Sequence, residues 1–153
     1  MLTIKNLKQF PQYIDLLAKW HHNEWSYLNP QRPLRDRAKE LETHLEIDSI
    51  PQTFIAFVDD KPVGCASVLE SDMDTKPDLY PWLASVFVLP EFRHRGIGRK
   101  LVHQVMQHTK EAGSKNMYLY TPDRAHFYKN MGWKSMEEVK YHGENVTIMS
   151  YDF

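Results

Sequence analysis

Residues 82–113 read WLASVFVLPEFRHRGIGRKLVHQVMQHTKEAG, and this run decides the fold. Trp82 to Leu89 is apolar and rich in β-branched and aromatic residues, which suits a buried strand. Pro90 has no N–H to give a ladder and ends it. Arg93-His94-Arg95-Gly96-Ile97-Gly98 follows as a basic turn with two glycines. Apolar residues then recur at Ile97, Leu101, Val102, Val105, Met106 and Ala112, with Thr109 between, at the spacing of a one-sided helix. Gly113 stands where a left-handed residue closes such a helix.

Strand, glycine turn and helix in this order make an anion site. The first amides of a helix have no partner inside it, and the helix dipole adds partial positive charge there. Glycines let a ligand approach those amides with no Cβ in the way. Arg93, Arg95, Arg99 and Lys100 crowd the same end, so the turn suits a pyrophosphate. The dinucleotide fingerprint is excluded, because its third glycine would fall at Leu101. A P-loop is excluded too, since no Gly-Lys-Ser/Thr follows at the required spacing.

The V-x-V-x-P strand (Val86, Val88, Pro90) followed by R-x-x-G-x-G (Arg93, Gly96, Gly98) resembles the acetyl-CoA motif of the GNAT superfamily of N-acetyltransferases. Downstream, F-Y-x-x-x-G-W (Phe127, Tyr128, Gly132, Trp133) is similar to the second motif of that family. The resemblance implies an α/β (α+β) GNAT fold, with a mixed, mostly antiparallel twisted sheet of six to seven strands and about four flanking helices. It implies one domain over residues 1–153. It also implies acetyl transfer from acetyl-CoA, without a metal, to a primary amine by direct attack in a ternary complex. The acceptor would be a small molecule or a peptide, and a homodimer is compatible with the family. The alternative is a non-catalytic acyl-CoA-binding module serving regulation or a partner.

The same resemblance assigns roles. Main-chain groups of Phe87, Val88 and Leu89 would meet pantetheine, with the Val88 N–H facing the thioester oxygen. The turn from His94 through Arg95, Gly96 and Ile97 to Gly98, with Arg93 and Arg99, would hold the pyrophosphate. Tyr128 would lie at the sulfur and protonate the leaving thiolate. The chain departs from the family pattern in two places. Thr121 stands where many members have an asparagine that contacts pantetheine, and Arg124 stands where a small residue is usual. Both remain candidates for cofactor contact.

The glutamate that many members carry on the central strand as a base is absent, for no acid occurs between Tyr80 and Leu89. Glu70 and Asp72, at the end of the neighbouring strand, are the substitutes, with His126 a weaker one. The magnitude matters: a lysine-like amine near pKa 10.4 costs about 4–5 kcal/mol to present neutral at pH 7, and an α-amine about 1–1.5 kcal/mol. The loop Glu70–Asp78 carries Glu70, Asp72, Asp74 and Asp78 against Lys76. It reads either as a solvated loop or as an anionic rim that attracts a cationic amine.

Composition sets the frame. The chain has 153 residues, one quarter of them charged, and a net charge of −1. That is one domain's worth of core, with no bulk attraction for nucleic acid or anionic lipid. No apolar run approaches a membrane span and Met1-Leu2-Thr3 opens no signal peptide. The single cysteine, Cys65, excludes an internal disulfide and fits a reducing cytoplasm; its apolar setting makes it core.

Elsewhere, Leu2–Leu7 reads as an edge strand and Pro11 to about Leu28 as a helix. Leu34, Ala38, Leu41 and Leu45 mark a second helix. Thr53–Val58 and Val63–Leu69 read as a hairpin turning at Asp59-Asp60-Lys61-Pro62. Asn116–Thr121, Lys134–Tyr141 and Val146–Asp152 complete the strands, and Asp123 is the expected N-cap of the helix that Gly132 closes. His21 and His22 point about 100° apart on a helix and do not converge on one ion. The resemblance also implies that the segment between the first two helices helps line the acceptor site, which makes Trp25, Tyr27 and Arg32 candidates for acceptor contact, with core or surface roles as the alternative.

Overall fold

The computed structural model describes residues 1–153. Seven strands form one sheet in the order β1-β2-β3-β4-β5-β7-β6. In chain order the elements are β1 Leu2–Asn6, α1 Ile14–Trp25, α2 Leu34–Thr43, β2 Gln52–Val58, β3 Lys61–Leu69 and β4 Trp82–Val88. Then come α3 Ile97–Glu111, β5 Asn116–Thr121, α4 Ala125–Lys129, β6 Lys134–Tyr141 and β7 Glu144–Asp152. Every neighbouring pair is antiparallel except β4 and β5, which are parallel. A mixed, mostly antiparallel sheet with four α-helices is the fold the sequence predicts.

Strand period sorts the core into two layers. In β2, Phe54 and Ala56 join the layer under α3, with Leu101, Val102 and Val105. Ile55 and Phe57 alternate to the opposite layer, under α1 and α2, with Leu17, Trp20 and Leu41. Both faces of the strand are covered, so its sequence is an unbroken apolar run rather than an alternation. Leu17, Ile55 and Leu101 are fully shielded, each burial being worth about 1.5–3 kcal/mol. A third cluster (Met73, Trp82, Val146 and Ile148) pins the loop after β3 over the β5–β7 end.

Several boundaries differ from expectation for local reasons. The helix expected from Pro11 to Leu28 is α-helical only over α1, with 3-10 turns at Pro11–Tyr13 and Ser26–Leu28, the tighter winding common at helix ends. The first hairpin turns on two residues, Asp59 and Asp60, both at positive φ, and Pro62 lies within β3 at a register shift, a bulge being where a strand tolerates proline. Asp123 does not cap α4. The Thr121 hydroxyl accepts instead from the Arg124 N–H at 2.9 Å, and Arg124 is the N-cap residue. Gly132 does close α4: at φ +98 its N–H donates to the Lys129 carbonyl, while that of Trp133 donates to Tyr128.

β4 carries two irregularities. Ser85 has φ +57 and sits opposite a register shift against β3, a bulge that re-aims the strand. β4 and β5 pair at a single register position, Trp82 with Tyr118, and diverge beyond it. The sheet therefore opens at its centre.

Candidate active site

The opening between β4 and β5 is a cleft of about 700 Å³. One arm is built by the end of β4, the turn after it, the start of α3 and α4. Leu89 donates its N–H to the Val63 carbonyl at 2.8 Å, and Val88 is in register with Gly64. Antiparallel alternation then turns the Val88 N–H away from β3, into the cleft. Of the three residues expected to offer main-chain groups, Val88 does so. The Phe87 carbonyl faces β3, lying 2.7 Å from where a Cβ on Gly64 would stand, and the Leu89 amide is spent.

The turn has two left-handed residues, His94 at φ +64 and Gly96 at φ +80, which bend consecutive amides into one concavity, a suitable cradle for phosphate oxygens. Gly96 is the N-cap of α3. Its conformation is what requires glycine, because no heavy atom lies within 4 Å of a Cβ built there. His94, Gly96, Ile97, Gly98 and Arg99 line the cleft. Arg93 also lines it, but its Nε donates to the Val88 carbonyl at 2.8 Å and its guanidinium lies over the Phe87 ring. It ties the turn to β4. Arg95 is outside the lining, with its guanidinium donating to the Glu91 carbonyl above the Phe92 ring.

Thr121, Arg124 and Tyr128 all line the cleft. Tyr128 packs edge-on against Phe127 and Trp133. Burial pushes its phenol well above the ordinary value, so the proton stays on the ring oxygen. Among the proposed bases, Glu70 and His126 are exposed and outside the lining. Asp72 lines it. The Asp72 carboxyl is pushed up to about 8, first by burial and then by the charge of Glu40, with Arg32 opposing.

Asp72 is also the only one of the four loop acids at the cleft. Asp74 accepts from the Tyr141 hydroxyl at 3.1 Å, and Lys76 bridges to Glu137 at 2.9 Å. These ties and buried Met73 anchor the loop against the sheet; most of its residues are exposed, as in the solvated reading, and its acids form no continuous rim at the cleft.

The second arm of the cleft lies between the loop, β5 and the first two helices. Trp25, Tyr27 and Arg32, the candidates from the sequence, line it, and so do Arg37, Glu40, His44, Ser67, Tyr120 and Tyr141, which sequence reasoning missed. Arg32 pairs with Glu40. His44 Nδ1 meets Thr53 Oγ1 at 2.7 Å, and Thr53 meets Ser67 Oγ at the same distance. His21, behind them, is held down to about 3 by burial and then by Arg37, His44 and Arg32, and its Nε2 faces Cys65 Sγ at 3.4 Å. No group of three or more His, Cys, Asp or Glu side chains is placed to hold a metal ion.

Comparison with known proteins identifies the family and the fold. The model of the acetyltransferase (GNAT) family matches residues 14–133. An uncharacterised N-acetyltransferase of Methanocaldococcus jannaschii is 30% identical over 94 residues, covering 57% of this chain and 41% of its own. One of Chlorobaculum tepidum is 29% identical over 92 residues, covering 60% of this chain and 56% of its own. The chain thus spans about half the length of the curated relatives it matches. Among solved structures, an aminoglycoside 6'-N-acetyltransferase complexed with coenzyme A superposes with a TM-score of 0.77 at 16% identity, covering 98% of this chain and 96% of that one, a likeness of fold.

Proposed function

We propose that this chain, which belongs to the GNAT acetyltransferase family, moves an acetyl group from acetyl-CoA to a primary amine by direct attack in a ternary complex. The observation that carries the reading is the cleft where β4 and β5 part. A free amide and a phosphate cradle lie on one side of it, and a carboxyl of raised pKa lies on the other.

Bound acetyl-CoA supplies an activated acyl group, and the chain supplies the rest. The amides of His94 to Gly98 hold the pyrophosphate at the start of α3. The Val88 N–H donates to the thioester oxygen as it gains charge. Asp72 accepts the proton that the amine gives up on attack. At about pKa 8 its carboxylate is a far stronger base than an ordinary aspartate, and each unit is worth about 1.4 kcal/mol. Several kcal/mol of the cost of taking a proton from an amine are thereby recovered. Tyr128 donates its proton to the departing sulfur. Asp72 and Tyr128 line opposite arms of the cleft, so an acceptor and a leaving thiolate between them are served from separate sides.

Thiol release from acetyl-CoA, measured across a panel of primary amines, tests the reading. Amine-dependent release is expected. Tight acetyl-CoA binding with no release from any amine would instead leave a binding module.

A further inference from the structure

We infer that the acceptor is a small amine that also carries a carboxylate, which pairs with Arg37 while the amine lies at the Asp72 end of the cleft. The inference deepens the acetyl-transfer reading and rests on it. Arg37 projects from α2 into the cleft lining and is only 8% exposed. Its Nε has no hydrogen-bond partner, and none of the six ion pairs of the protein includes it. Glu40, one turn along the same helix, pairs with Arg32 instead. A guanidinium keeps its charge and its five donors wherever it is placed. Burying one without a partner is costly to the fold, and a charge left open in a binding cleft is matched by a ligand that brings the partner.

The remaining charges agree. Asp72, Arg37 and Tyr120 on β5 all line the same cleft, and the Tyr120 phenol feels the charge of both. Arg32 and Glu40 neutralise one another there. His21 and His44 are held neutral by burial. Around Tyr120, what is left is one carboxyl and one guanidinium, which a ligand carrying both an amine and a carboxylate complements. The guanidinium fork accepts one carboxylate through two parallel bonds. A doubly charged phosphate would meet a single cation with Asp72 nearby. The cleft of about 700 Å³ must also admit the pantetheine arm, which leaves space for a small acceptor.

The test uses matched acceptors: β-alanine with β-alaninamide, glycine with glycinamide, and phosphoethanolamine with ethanolamine. Amidation lowers the pKa of the amine, so a preference for the carboxylate runs against intrinsic reactivity. In the two amino-acid pairs the carboxylate member is expected to have the higher kcat/KM by about 10- to 100-fold, the worth of a charge-assisted pair. Arg37→Met should collapse that ratio toward one. Ratios near one for both amino-acid pairs in the parent overturn the inference, as does a preference confined to phosphoethanolamine.

Thermal melting of the full chain saturated with coenzyme A decides the point without turnover. β-Alanine should raise the Tm of the parent and not that of Arg37→Met, and β-alaninamide should raise neither. The unliganded variant should melt at or above the parent, because an unpaired buried charge has been removed. A variant that melts well below the parent with its ratio intact makes Arg37 structural and overturns the inference. Absence of thiol release from every amine would sink acetyl transfer, while the β-alanine shift would still judge Arg37.

Discussion

In the proposed reaction Asp72 and Tyr128 divide the proton traffic between them, and each role can be tested by removing one atom's function. Tyr128→Phe keeps the ring that packs on Phe127 and Trp133, so acetyl-CoA affinity should hardly change. The lost donor should lower kcat by about 10²–10⁴-fold and kcat/KM with it, as expected of an interaction made in the transition state. Parental turnover would reduce Tyr128 to packing. For Asp72, a base must be deprotonated to act, so kcat/KM should climb with pH through about 8. That limb should stay in place across acceptors of different amine pKa and vanish in Asp72→Asn. A limb that follows the amine instead would remove Asp72 as the base. At this scale the sequence was only partly legible. Tyr128 came with a motif, whereas Asp72 and Glu70 were equivalent until the loop's fold sent one inward and left the other exposed. Arg37 did leave a signal, because it falls on the apolar stripe of Leu34, Ala38, Leu41 and Leu45, where helix period calls for a nonpolar side chain.

The arm proposed to hold acetyl-CoA is built by elements meeting at glycines, and two of these separate fold from binding. Gly64 in β3 passes so near β4 and α3 that an added Cβ would stand 2.7 Å from the Phe87 carbonyl and 3.2 Å from Leu101 Cδ1. Gly64→Ala should cost about 1–3 kcal/mol by overpacking, seen as a fall in Tm of about 2–4 °C per kcal/mol for a domain of this size. An unchanged Tm would mean that β4 yields at no cost. Gly98, in the first turn of α3, has only ordinary contacts near its Cβ position, with Val88 at 3.7 Å and Phe127 at 4.0 Å. Gly98→Val should keep the Tm and fill the phosphate approach, weakening acetyl-CoA by at least about tenfold, or about 1.4 kcal/mol. Calorimetry that finds parental affinity would move the phosphate site elsewhere. Gly96 is the poorer probe, since a β-branched residue at φ +80 would strain the turn itself. The glycines of this turn were legible because they recur in a motif beside a periodic helix. The role of Gly64 was not, for it depends on which strand lies next to which. The same holds for the β4 bulge at Ser85, a non-glycine residue in a left-handed conformation that no local pattern announces.

Over the whole molecule, two titratable groups of the cleft lining, buried His21 and half-buried Asp72, pull on stability in opposite directions as pH changes. His21 has its folded pKa lowered to about 3, by burial first and then by Arg37, His44 and Arg32. Between about 3 and its ordinary value of 6.5 the unfolded chain holds a proton there that the folded chain refuses. Stability therefore rises with pH across that window. Asp72 is the reverse case, raised from 3.8 to about 8. Between those values the folded chain holds the extra proton, so stability falls as pH rises. In the overlap, from 3.8 to 6.5, the two slopes oppose each other, and from 6.5 to 8 only Asp72 acts. Comparing variants with the parent cancels the ordinary surface carboxylates common to both. Asp72→Asn should therefore match the parent in Tm near pH 4 and exceed it by a widening margin up to about pH 8. His21→Gln should gain on the parent as pH falls from 6.5 toward 3. Melting curves across about pH 3.5–8.5 decide both. If the Asp72→Asn and parent curves run parallel, Asp72 titrates as an ordinary aspartate, and the base at the acceptor arm must be sought among other residues of the cleft.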